Sequence, residues 1–194
     1  MPNLLELSIK IQVVAGIIKK INESRESTIA FNETKNRWTS FYSYQPDNMV
    51  MDNIGIITFK NGQLYLHEKN VLYNNFYGEQ YSSEIHIVSN TNPSVVKTYL
   101  ALTEESEDEW EMYQCLTPSG QDSEILITDF EKKEDIFYSN FYRDKNTVNC
   151  INALIEGEIL KGKTMLIKLR NKLTTETKLF AVDVNWSYSA RSNR

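Results

Sequence analysis

Apolar and polar residues alternate strictly along much of the chain, and a period of two predicts strands rather than helices. In "LELSIKIQV" (5–13), Leu5, Leu7, Ile9, Ile11 and Val13 fall on one face and Glu6, Ser8, Lys10 and Gln12 on the other. "FAVDVNWSYS" (180–189) repeats the arrangement, with Phe180, Val182, Val184, Trp186 and Tyr188 opposite Asp183, Asn185, Ser187 and Ser189. Each stretch predicts a strand with one face in a core and the other toward water or a partner. Both lie near the ends of the sequence given, where an unpaired strand frays, so both are expected to be tied into sheets.

The sharpest local signal is "GIITFKNGQLYLHE" (55–68). Asn61 and Gly62 tolerate the two positive φ angles of a type I′ turn, which predicts a two-residue hairpin. That register sets Phe59 opposite Leu64 and Ile57 opposite Leu66 on one face, with Thr58 opposite Tyr65 on the other. Ile56 then faces His67. Further strands are predicted at 28–32, 37–44, 84–89, 110–116, 123–128, 135–142 and 164–170, each short, rich in Ile, Val, Tyr, Phe and Thr, and bounded by Asn, Asp, Gly or Ser. "NTNPSVVKTYLALTEES" (90–106) breaks the series: its Asn and Thr caps, its Pro, and apolar residues at 95, 96, 99 and 100 predict a short helix. The expected fold is mainly β, an antiparallel sandwich or partly closed barrel with one short helix. A single domain over 1–194 is expected, its N-terminal strand (about 4–21) open to completion by a neighbouring subunit.

Aromatic residues change this picture most. In "NRWTSFYSYQPDNMVM" (36–51), Trp38, Tyr42 and Tyr44 share one strand face and Phe41 takes the other. A strand with bulky rings on both faces is expected to be covered on both sides, by a second sheet or by another chain. Trp186 and Tyr188 extend the same theme at the far end of the sequence.

Charge is unevenly distributed behind a formal net of −5. From Lys161 onward there are eight basic residues (Lys161, Lys163, Lys168, Arg170, Lys172, Lys178, Arg191, Arg194) against Glu176 and Asp183. The preceding residues carry the acidic surplus, which peaks in "EESEDEWE" (104–111), six carboxylates in eight positions. Such a run reads first as a solvated loop. Beside a basic segment it also suits head-to-tail contacts between subunits, where opposite charge steers docking and fixes register. Glu107, Asp108 and Glu109 opposite Lys161, Lys163, Lys168 and Arg170 of a neighbour are the candidate interface.

Candidate chemistry is sparse. No phosphate-cradling glycine loop, GxSxG or HExxH motif is present, and there are seven glycines in all. His67 and His86 are the two imidazoles, and two histidines alone do not complete a metal site. Cys115 and Cys150 fit no CxxC spacing and read as reduced thiols with a structural role. No signal core precedes the chain's first strand, and no apolar run reaches the ~20 residues of a membrane helix, so a soluble protein is expected. An acidic total opposes specific nucleic-acid binding. The residues predict no catalytic, cofactor or metal site.

Several stretches, taken in order, resemble a module in structural proteins of the neck and tail of crAss-like bacteriophages: "NRWTSFYSYQPDNM", "FKNGQLYLHE", "NNFYGEQYSSEIHIVSNTNPSVVKTYLAL", "ILITDFEKKEDIFYSNFYRDKN" and "EGEILKGKTMLIKL". The resemblance covers roughly residues 29–190 and is carried by the combined order of these pieces. It implies a virion protein, ring or muzzle type, made in the host cytoplasm, without catalytic or cofactor residues. For a chain of this length a ring-forming neck or tail component is the expectation. Its expected partners are further copies of itself in a cyclic homo-oligomer and other tail, neck or portal proteins, with genome DNA passing nearby and no membrane. The alternative is a carbohydrate-binding or host-receptor adsorption module using Trp38, Tyr42 and Tyr77 as stacking surfaces. A hydrolase built on surface carboxylates is a third reading, for which two facing acids in a deep cleft would be the mark.

Overall fold

Asn61 and Gly62 have φ angles of 52° and 75°, so the turn that the sequence specifies forms. It joins β5 (Gly55–Lys60) to β6 (Gln63–Leu66) in the predicted register, Phe59 on Leu64, Thr58 on Tyr65 and Ile57 on Leu66. The computed structural model describes residues 4–7 and 27–189. They divide into two compact units, one ending at Tyr81 and one beginning at Ser82.

The first unit consists of small antiparallel sheets. β1 (Leu4–Leu7) pairs with β2 (Ser27–Asn32), and β2 pairs with β3 (Arg37–Tyr42). β1 is the described part of the predicted 5–13 strand; residues 8–13 lie outside the described residues, as do Arg191 and Arg194. β4 (Asn48–Asp52), which the pattern did not predict, adds to the hairpin in the order β4-β5-β6. β7 (Asn75–Phe76) and β8 (Glu79–Gln80) close a two-residue turn at Tyr77-Gly78.

The second unit is a sandwich of two sheets. One has the order β12-β11-β16-β9, from β9 (Ser83–Ser89), β11 (Glu111–Leu116), β12 (Asp122–Ile125) and β16 (Met165–Asn171). The other is built on β10 (Lys97–Ser106), with β13 (Glu131–Lys133), β14 (Ile136–Asn140), β15 (Lys161–Gly162) and β17 (Leu179–Tyr188). β17 lies along β10 from Lys97 to Ser106, and β14 and β15 share the other edge. Leu102, Met112, Ile125, Met165, Ile167 and Leu169 are fully buried between the sheets, with Val182, Val184 and Trp186 packed against them. Antiparallel sheets facing each other across an apolar core make this a sandwich, and among the described residues no sheet closes into a barrel.

Two sequence expectations need correction. The helix predicted over 90–106 is instead β10, the most extensively paired strand of the unit. A bulge at Leu100 shifts the register, so Lys97, Tyr99, Leu102, Glu104 and Ser106 all point inward. The extra residue breaks the period of two and mimics helical spacing. The short helix lies at Ala153–Glu156, a single turn. The run 104–111 is likewise no plain solvated loop: Glu104 is 0% exposed within β10, and Glu111 opens β11.

Candidate functional site

In the first unit the aromatic residues converge on Tyr44, which is 5% exposed. Its ring lies 5.3 Å from Tyr42, 4.5 Å from Phe76, 4.9 Å from His67 and 5.7 Å from Tyr77 between centroids. The Thr28 hydroxyl donates to the Tyr44 carbonyl at 2.7 Å, so β2 is bound to the same point. Tyr77 holds a φ of 55°, unfavourable for a bulky side chain. Its hydroxyl donates to Thr58 Oγ1 at 2.9 Å, which anchors the turn. Thr58 Oγ1 lies 2.7 Å from His67 Nε2, and because it accepts from Tyr77 its own proton can go to the imidazole. Burial lowers the His67 pKa, against a smaller opposing effect of Glu68, which agrees with a neutral ring accepting that proton.

Trp38 belongs to a different contact. It meets Phe31 edge-on at 5.0 Å and is 49% exposed. The proposed stacking trio is therefore divided: Tyr42 and Tyr77 pack on Tyr44, and Trp38 packs on Phe31. In the second unit Trp186 meets Tyr188 edge-on at 5.4 Å. The two histidines serve separate local bonds, His67 with Thr58 and His86 with the Tyr113 hydroxyl at 3.1 Å. Among the described residues no group of three His, Cys, Asp or Glu side chains could hold a metal, and no helix is long and apolar enough to cross a membrane. Cys115 is buried and Cys150 half-buried, both free thiols, and burial pushes the Cys115 thiol up to about 12.

The acidic run of the second unit forms the turn between β10 and β11, braced from several sides. The Glu107 N–H donates to the Lys178 carbonyl at 2.9 Å, and Asn171 Nδ2 donates to the Glu109 carbonyl at 3.1 Å. Glu107 pairs with Lys178 at 3.2 Å. Glu111 pairs with Arg170 at 2.9 Å and with Lys172 at 3.1 Å, in line with the register that sets Glu111 opposite Arg170. Burial alone would raise the Glu111 pKa, but the two cations outweigh it and hold the carboxyl below its ordinary value. Lys168 donates to Gln114 Oε1 at 2.9 Å. Of the candidate interface residues, Glu107, Lys168 and Arg170 are thus engaged within their own chain. Asp108, Glu109, Lys161 and Lys163 make no ion pair with a described residue.

Lys161 and Lys163 line a cleft of about 1180 Å³ together with Val96, Pro118 and Arg143. Its two carboxylates are Asp144 and Glu158. Asp144 Oδ1 accepts the Asp122 N–H at 2.9 Å and the Asn146 N–H at 3.1 Å. Pattern reading missed Arg143 here. No motif or spacing in the sequence marks Arg143.

What the second unit offers, then, is a β-sandwich with distinct charged surfaces at its strand ends. Residues 71–144 match the family model described as the Crassvirus muzzle protein C-terminal domain. The match bears out the resemblance drawn from the sequence and supports a structural protein of a crAss-like phage. No match was found among curated proteins.

Proposed function

We propose that the chain is a non-enzymatic virion subunit that closes into a ring in the neck or tail through head-to-tail contacts between copies. The observation that carries this reading is the polarity of the second unit. The acidic β10–β11 turn lies where β10 and β11 meet, and the cleft with Lys161 and Lys163 lies at the other ends of those strands. Surfaces that differ at two ends of one subunit suit a heterologous contact, and a heterologous contact that closes makes a ring. The similarity to a muzzle-protein domain over 71–144 supports a place in the virion. Other tail, neck or portal proteins are the natural neighbours of such a ring, around a channel through which genome DNA passes.

Sedimentation of the purified chain over a hundredfold range of concentration tests this. A reversible step from monomer to one larger species is expected, weakened by salt. A single monomeric species throughout would remove the ring. The glycan-binding alternative has one favourable observation, the half-exposed Trp38 indole. Saturable binding of one sugar by the monomer on a glycan array, lost in Trp38→Ala, would favour it.

A further inference from the structure

The long strands of the second unit connect two ends of different electrostatic character. At one end, Ser106 closes β10, Glu111 opens β11, Asn171 closes β16 and Leu179 opens β17, all around the turn Glu107–Glu109. At the other end, Lys97 opens β10, Leu116 closes β11, Met165 opens β16 and Tyr188 closes β17, beside the cleft. A ten-residue strand such as β10 separates these ends by about 30 Å.

Three cations gather at the cleft end. Arg143, Lys161 and Lys163 line the cleft, and none makes an ion pair with a described residue. Lys97 follows the cleft residue Val96 and pairs with Gly162, yet its side chain is 0% exposed. Its ammonium is engaged inward, donating to the Lys163 carbonyl and lying 5.5 Å from the centroid of the Trp186 ring. Burial lowers the Lys97 pKa, and a fully buried ammonium is out of reach of a docking partner. Against the three cleft cations stand Glu158 and the already engaged Asp144. Arg143, Lys161 and Lys163 together present positive charge suited to an anionic group from outside.

We propose that this cleft receives the acidic β10–β11 turn of a second copy of the chain, with Asp108 and Glu109 facing Lys161, Lys163 and Arg143. The inference rests on the ring reading and names its contact. At about 1180 Å³ the cleft exceeds the ~300–1000 Å³ of ordinary small-molecule pockets, which gives room for a chain segment. The turn is pre-shaped: Ser106 Oγ donates to the Asp108 carbonyl at 2.7 Å, and the Glu107 and Glu109 backbones are tied to Lys178 and Asn171. Little ordering entropy therefore remains to be lost on docking. Since turn and cleft lie at opposite ends, each copy engages one neighbour with its turn and another with its cleft. Contacts propagate until the ring closes. DNA phosphate is the other polyanion a virion offers, and the chain's net charge of −5 opposes it.

The test is a charge exchange in the full chain. One variant carries Asp108→Lys with Glu109→Lys, and the other carries Lys161→Glu with Lys163→Glu. Wild type, each variant and their equimolar mixture are compared by sedimentation at low salt, with circular dichroism as the check on folding. Each variant alone should associate at least tenfold more weakly than wild type. The mixture should recover, because the reversed turn fits the reversed cleft and the two unaltered surfaces still fit each other. Should either variant fold poorly, the neutral pairs Asp108→Asn with Glu109→Gln and Lys161→Gln with Lys163→Gln replace them, each again weakening association. If wild type forms rings and the variants do so equally well, this contact is overturned while the ring reading stands. A mixture that associates no more strongly than either variant alone also overturns it. A wild type that never associates removes the ring reading itself. Duplex DNA bound by wild type and released by Lys161→Glu with Lys163→Glu, without self-association, would assign the cleft to nucleic acid.

Discussion

The two units reach stability by different routes. In the second, two sheets enclose a continuous layer of Leu102, Met112, Ile125, Met165, Ile167 and Leu169, all fully buried. In the first, small sheets are fastened at one aromatic knot around Tyr44, and Thr58 is buried beneath it. The opposite face of the β4-β5-β6 sheet exposes Val50, Phe59, Leu64 and Leu66. A core of layers distributes its energy over many residues, whereas a knot concentrates it in a few. Local opening should therefore be easier in the first unit, and amide exchange should be faster in β4–β6 than in β10, β11 and β16.

Substitutions can break that contrast. Tyr44→Ala removes the ring on which four others pack. It should cost about 3–5 kcal/mol and raise exchange throughout the first unit while β10, β11 and β16 stay protected. Uniform loss of protection across both units would contradict that contrast. Leu169→Ala is the counterpart, costing about 2–5 kcal/mol in thermal or urea unfolding and reversing the exchange pattern.

Glu104 sharpens the comparison through pH. Burial pushes its carboxyl up to about 8, the Trp110 N–H bond working the other way. Between about 4.5 and 8 the native state then holds a proton that the unfolded chain has released. Stability from this group is fully present below pH 4.5 and is lost as pH rises toward 8. Glu104→Gln should flatten that slope and leave the variant more stable than wild type at pH 8.5, read from urea midpoints. An unchanged slope would place the charge elsewhere. Glu111 has the reverse sign: its pKa is lowered, so its contribution is present above the unfolded value and fades in acid. Glu111→Gln should cost about 2 kcal/mol at pH 7 and less at low pH. The smallest effect belongs to Thr58→Val, about 1 kcal/mol, with the His67 and Tyr77 bonds lost and the hairpin register kept.

How legible this was depended on whether the deciding physics was local. Asn61-Gly62 specified its hairpin because turn and register depend on neighbouring residues alone. The face that packs could not be read the same way: Thr58 and Tyr65 turn toward the aromatic knot, while Leu64, the more apolar residue, is exposed. β10 was obscured by the Leu100 bulge, a feature set by its pairing with β17. β4, β7, β8, β13 and β15 are short and make sense only beside their partners. The charge complementarity of the acidic and basic segments was visible, but its division was not. The β11–β16 register gives Arg170 to Glu111 within the chain and leaves Lys161 and Lys163 at the far end.

The central claim is that copies of this chain join end to end by unlike surfaces. Electron micrographs of the purified full chain at low salt, sorted by rotational symmetry, address it most directly. Closed rings of one cyclic symmetry higher than two are the predicted result. Single particles, or pairs related only by a two-fold axis, would contradict it.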